Sequence, residues 1–201
     1  MFFSLGFLGL FTESDRLSPV LQGFIVSVAF FLVIPLLYSK IVVGEPLARL
    51  GLQKGNAVTG VLLSILSVVL AGGIVVGLAS TFPVFHTEYR FPGLVENSFF
   101  WFVLYELLLV SLVTLLYEVF FRGLVQLFWL RDFGLWAVFI QTALFYGFVA
   151  LSNEFSWQKA PLLIFCPLSG YIAYRSQSLW YSFSASWLFL FLTDIFFLVS
   201  H

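Results

Sequence analysis

Residues 56–82 contain no charged side chain and are mostly apolar. A helix of about 20 such residues crosses the roughly 30 Å hydrocarbon layer of a bilayer. A helix also satisfies its own backbone hydrogen bonds where no water is available. Five more apolar stretches occupy about 19–43, 98–130, 134–151, 160–174 and 179–199. Charged residues make up 9% of the chain, against about 25% in a soluble domain. A membrane β-barrel would instead alternate apolar and polar residues over short segments. The expected fold is therefore all-α. It is a polytopic transmembrane bundle of about six membrane helices plus an N-terminal interfacial segment, built as one integral membrane domain over 1–201. Residues 1–11 are apolar but have no basic region before them, and Glu13 and Asp15 follow. That pattern reads as an interfacial or partly inserted segment, not a signal peptide.

Particular residues sharpen the outline. Pro35 is placed to kink the first helix. Gly72, Gly73 and Gly77 predict close approach of another helix to the second. The 98–130 stretch exceeds one bilayer thickness, so it is tilted, broken or extended beyond the membrane. Pro161 and Pro167 predict a short, irregular fifth helix. Trp101, Trp129, Trp136, Trp157 and Trp180 fall near stretch ends, as interfacial tryptophans do. Lys40, Arg49, Lys54, Arg131 and Arg175 would share one side, with Arg16, Arg90 and Lys159 on the other. This bias favours the first group as cytoplasmic.

The rest of the composition excludes several chemistries. Cys166 is the only cysteine, so there is no internal disulfide or thiolate cluster. His86 lies in a polar loop and His201 is the last residue, which leaves no metal site in the bundle. There is no phosphate-binding loop, no His-Glu-x-x-His helix and no Gly-x-Ser-x-Gly elbow. No cofactor is implied, and no basic patch suits nucleic acid.

Four charges fall inside apolar stretches: Glu106, Glu118, Arg122 and Asp194. Charges in a membrane are costly, usually paired and often functional. Glu118 precedes Arg122 by four residues, the favourable order for a pair on one helix face. The plain expectation is a structural ion pair, and the functional one is a carboxylate that activates water or binds a polar ligand. Glu106 reads as an interfacial charge near the start of its helix. Asp194 reads as an ordinary charge near a helix end, or as a third member of the Glu118–Arg122 cluster.

From about Leu47 to Asp194 the chain resembles the CAAX protease and bacteriocin-processing family of membrane-embedded glutamate proteases, also called CPBP or Abi. The resemblance rests on four pieces in order. Residues 47–52 (Leu-Ala-Arg-Leu-Gly-Leu) look like the loop before the family's second core helix. Residues 118–123 (Glu-Val-Phe-Phe-Arg-Gly) look like the second half of its Glu-Glu-x-x-x-Arg motif. Residues 144–150 resemble the helix that ends in Phe-x-x-x-His. Residues 170–180 resemble the approach to its final His-x-x-x-Asn or Asp motif. The resemblance implies a CAAX-protease-like core over 47–194 and a bacterial cell membrane as the setting. It also implies which positions are degenerate. Tyr117 stands where the water-activating glutamate is expected, Ala150 and Ser186 where the histidines are, and Leu190 where Asn or Asp is. Glutamate-based hydrolysis needs a base and oxyanion donors, and a tyrosine with a pKa of about 10 is a poor base at neutral pH. The expectation is a catalytically inactive relative acting as a structural or regulatory subunit beside other integral membrane proteins and membrane lipids. One alternative is a peptidase of altered chemistry using Glu118, Arg122, Tyr117 and Asp194. The other is a lipid- or peptide-binding or transport component using Arg122.

Overall fold

A computed structural model describes residues 19–89, 91, 95, 98–151 and 157–200. The N-terminal segment, Arg90, His201 and the side chain of His86 lie outside that description. The described residues contain helices and turns and no strand. Helix α1 runs from Pro19 to Val42. Helix α2 spans Ala57–Thr81, and the short α3 spans Pro83–Glu88. Helix α4 spans Phe99–Trp129. Helices α5, α6 and α7 span Trp136–Leu151, Ala160–Ser176 and Leu179–Ser200.

Among the described residues, four segments are long and apolar enough to cross a membrane: Phe24–Val42, Ala57–Thr81, Phe99–Trp129 and Leu179–Ser200. The expected six stretches all form helices, but α5 and α6 have only 16 and 17 residues. At 1.5 Å per residue they are roughly 24–26 Å long, shorter than the hydrocarbon layer. For α6 the reason is position. It packs against α2, α4, α5 and α7, so it meets protein on most sides and need not match lipid. That also lets it carry Pro167, Ser169 and Gly170 in its interior, whereas Pro161 sits in its first turn, where no N–H is needed, so the helix is continuous and not irregular. Pro167 has no N–H to give to the Leu163 carbonyl four residues back. The hydroxyl of Tyr146 on α5 donates to that carbonyl instead, at 2.8 Å.

Helix α4 is continuous over 31 residues, about 46 Å at helical rise, so it is not broken and exceeds the hydrocarbon thickness along its axis. It changes to wider, i→i+5 bonded π-helical turns over Tyr105–Val110 and Glu118–Trp129. Pro35 likewise lies in α1 between two π-helical stretches.

The bundle exposes large apolar side chains on its outer faces, as helices that meet lipid do, around a core that is also apolar. Val58, Val69, Leu62 and Ile65 of α2 are exposed. Its buried stripe is Gly60, Ser67, Ala71, Val75 and Ala79. Small residues at four-residue spacing let α2 lie close to α6 and α7. The expected contact glycines are not on this stripe, and a methyl group built on Gly72, Gly73 or Gly77 meets nothing within 4 Å. One built on Gly60 would lie 2.4 Å from the Tyr181 ring. Each residue turns the helix by about 100°, which separates Ala71 from its two glycine neighbours.

Aromatic rings fill the junction of α1, α4 and α5. Phe121 and Phe145 meet edge to face at 5.0 Å, and Phe31 meets Phe120 the same way at 5.1 Å. Trp101, Trp129, Trp136 and Trp180 face outward at helix ends, whereas Trp157 stacks on Phe82. At one end of the bundle the 44–56 loop is tied to the α6–α7 turn. Asn56 N–H donates to Ser176 O, Leu179 N–H to Gly51 O, and Ser178 Oγ to Gln53 O.

Candidate functional site

The buried site is organised by the start of the second π-helical stretch of α4. Glu118 and Arg122 lie one turn apart, and their side chains are 2% and 4% exposed. Arg122 Nε is 3.7 Å from Glu118 Oε1, an ion pair without a close hydrogen bond. The shorter bonds come from α7, where Ser182 Oγ donates to Oε2 at 2.7 Å and Ser186 Oγ to Oε1 at 2.8 Å. These serines are four residues apart and so share one face of α7.

The guanidinium has its own supports. Arg122 Nη2 donates to the Cys166 carbonyl of α6 at 3.2 Å. Its charge also lies 5.6 Å from the centre of the Phe145 ring, within cation–π range. One ion pair therefore ties α4 to α5, α6 and α7. Close by, Gln126 donates to the Gly170 carbonyl at 2.7 Å, and Gln141 points at the Cys166 sulfur.

Tyr117, Glu118, Arg122, Ser186 and Leu190 all line one cavity of about 20 Å³, closed further by Thr114, Leu162, Phe165 and Cys166. That is room for about one water and far too little for a peptide. Ala150 is exposed at the end of α5. The inward positions of α5 are Phe145 and Val149, which cluster with Tyr117, Phe121 and Cys166. Asp194 is not joined to Glu118 or Arg122 by any hydrogen bond or ion pair. It lies two turns beyond Ser186, about 12 Å along the helix, and there it accepts a hydrogen bond from the Tyr89 hydroxyl. Its other neighbour is Glu106. Glu106 is completely buried, not interfacial, because Asp194 and Trp187 of α7 lie against this residue.

Ser182, Phe145 and the Cys166 carbonyl belong to the site and were not foreseen. The serine signal was present: Ser182, Ser186 and Asp194 fall at four- and eight-residue spacing in an otherwise apolar helix. The carbonyl leaves no trace in sequence. Among the described residues, no three His, Cys, Asp or Glu side chains are grouped so as to hold a metal.

Chemically, the arrangement fixes a carboxylate. One hydroxyl bonds each Glu118 oxygen, and the guanidinium lies 3.7 Å from Oε1. The base-position residue, Tyr117, is a phenol in an apolar ring cluster. No family model, curated protein or solved structure matches this chain.

Proposed function

We propose that the chain is a degenerate relative of the CPBP/Abi membrane proteases, with its core over 47–194. In this reading it has lost peptidase activity and serves as a structural or regulatory subunit of a complex of integral membrane proteins in a bacterial cell membrane. The observation that carries the reading is the state of Glu118. Its carboxylate is bonded to Ser182 and Ser186 and paired with Arg122, beside a cavity with room for about one water. A water-activating glutamate needs a free lone pair aimed at a water that also reaches a substrate carbonyl. A carboxylate clasped on both oxygens suits cohesion between helices. The same cavity size weighs against a lipid headgroup or peptide on Arg122, and the distance of Asp194 weighs against a Glu118–Asp194 catalytic pair.

Two experiments test the proposal. Purification of the full chain from its own membrane in several mild detergents is expected to recover a stoichiometric membrane-protein companion. A monodisperse monomer in every detergent overturns the subunit role. Processing of membrane peptides is expected to be equal with wild type and Glu118→Gln. Processing that disappears in Glu118→Gln, with folding retained, overturns the inactive reading in favour of a peptidase.

A further inference from the structure

A second polar cluster lies apart from Glu118, between α4, α7 and the segment that follows α3. Glu106 is 0% exposed, and among the described residues neither carboxylate oxygen has a hydrogen-bond donor. What meets it is the carboxyl group of Asp194, itself 7% exposed. Tyr89 donates its hydroxyl to the far side of Asp194, and Tyr105 lies beside both acids. The indole N–H of Trp187 is spent on the Glu106 backbone carbonyl, at 3.1 Å. Among the described residues, the titratable groups facing the pair from α4, α7 and the post-α3 segment are thus two carboxyls and two phenols, and none is a cation.

The contrast with Glu118 is informative. Both glutamates are buried in α4, but Glu118 has a guanidinium and two hydroxyls. Among the described residues, Glu106 has no cation and faces a second acceptor, Asp194. Two ionised carboxylates bond to nothing between them and repel. Such a pair is stable in an apolar bundle once one positive charge lies between the acids. Helix α4 is π-helical here, over Tyr105–Val110, a widening frequent at functional sites.

We propose that Glu106 and Asp194 form an intramembrane site for one positive charge, an exchangeable proton or an alkali-metal ion in its place. The site is independent of any kinship with proteases. Its occupancy sets whether α4 and α7 attract or repel at this level, so the packing of the two helices follows the proton or cation supply.

The probe is dicyclohexylcarbodiimide, applied to the full chain in detergent micelles. A neutral carboxylic acid gives its proton to a carbodiimide nitrogen and its oxygen to the central carbon. The adduct then rearranges to a stable N-acylurea, whereas a carboxylate without a proton is inert. Peptide mapping is expected to find the adduct on Glu106 or Asp194 and none on Glu118, the buried carboxylate paired with arginine. Label that sodium chloride suppresses at constant pH identifies an alkali-ion site. Label indifferent to salt identifies a proton site. Glu106→Gln offers Asp194 an amide donor, so label is expected to be lost from both positions. Label that persists on Asp194 in this variant overturns the shared site. Infrared spectroscopy of the wild type supplies a measurement that needs no variant and no reagent access. A neutral carboxylic acid C=O band at neutral pH, or one that sodium or potassium removes, is expected. Absence of that band under every salt condition, together with absence of label, overturns the proposal.

Discussion

The clearest quantitative consequence concerns the ion pair at the centre of the bundle. Arg122→Met leaves the Glu118 carboxylate buried with only Ser182 and Ser186 as donors. Glu118→Leu leaves the guanidinium with the Cys166 carbonyl and the Phe145 ring. Breaking a buried pair by removing one partner costs about 3–5 kcal/mol, chiefly for the charge left behind. The Nε–Oε1 separation of 3.7 Å and the remaining bonds to each charge place both single variants toward the lower end, at about 3 kcal/mol. The combined variant leaves no buried charge. Ser182 Oγ keeps the Leu179 carbonyl, and the Cys166 carbonyl keeps Ser169 Oγ. The chief residue of damage is the unpartnered Ser186 hydroxyl, worth about 1–3 kcal/mol. The double variant is therefore expected to be no worse than either single one, where additivity would give about 6 kcal/mol. The coupling of at least about 3 kcal/mol exceeds a hundredfold in the folding equilibrium. Unfolding in mixed micelles with rising dodecyl sulfate, followed by circular dichroism, measures all three variants. Additivity within about 0.5 kcal/mol would refute the claim that the pair is buried and mutually compensating.

Two further outcomes follow from packing and burial. In the same unfolding assay Gly60→Ala is expected to lose about 1–3 kcal/mol by overpacking against Tyr181; Gly72→Ala and Gly77→Ala, which meet nothing within 4 Å, should be neutral or gain up to about 1 kcal/mol of helix propensity. Equal losses at the three positions would show that α2 is rotated from the orientation described. Burial, and then the Asp194 carboxylate, push the Tyr89 phenol well above its ordinary pKa of about 10. Its stabilising contribution is thus present below pH about 10 and lost as pH rises above that value, because the unfolded chain releases the proton first. Tyr89→Phe should flatten the alkaline fall in stability relative to wild type, and an unchanged alkaline limb would show that Tyr89 is not buried against Asp194.

What could be read from the sequence follows from what each physical signal measures. Hydropathy reports the lipid a segment meets. It located the four long helices, whose exposed faces are apolar, and it also marked α5 and α6 as helical stretches. It could not show that α6 is enclosed by its neighbours, and enclosure is what releases that helix from bilayer length. Spacing of four along α4 foretold that Glu118 and Arg122 would meet, since both residues belong to one helix and the rotation between them is fixed. Rotation between helices was the missing quantity. Gly72, Gly73 and Gly77 look like a contact surface in one dimension, yet the stripe one residue away, at Ala71, Val75 and Ala79, faces the core. Ala150 fails in the same way, one residue from the inward Val149.

The carboxylates show the consequence most sharply. A chain this poor in charge has few partners to offer, so each buried acid invites pairing with whatever charge is available. The sequence suggests that Asp194 joins Glu118 and Arg122. Helix α7 runs antiparallel to α4, however, so moving eight residues past Ser186 carries Asp194 back toward the start of α4, where Glu106 lies. One arginine therefore serves one of the two buried acidic sites. The serines complete that site, and the other is left with two acids and no cation among the described residues. The distribution of a single guanidinium between two acidic levels is what separates, among the described residues, a closed structural clasp from a pair of acids with no guanidinium beside it.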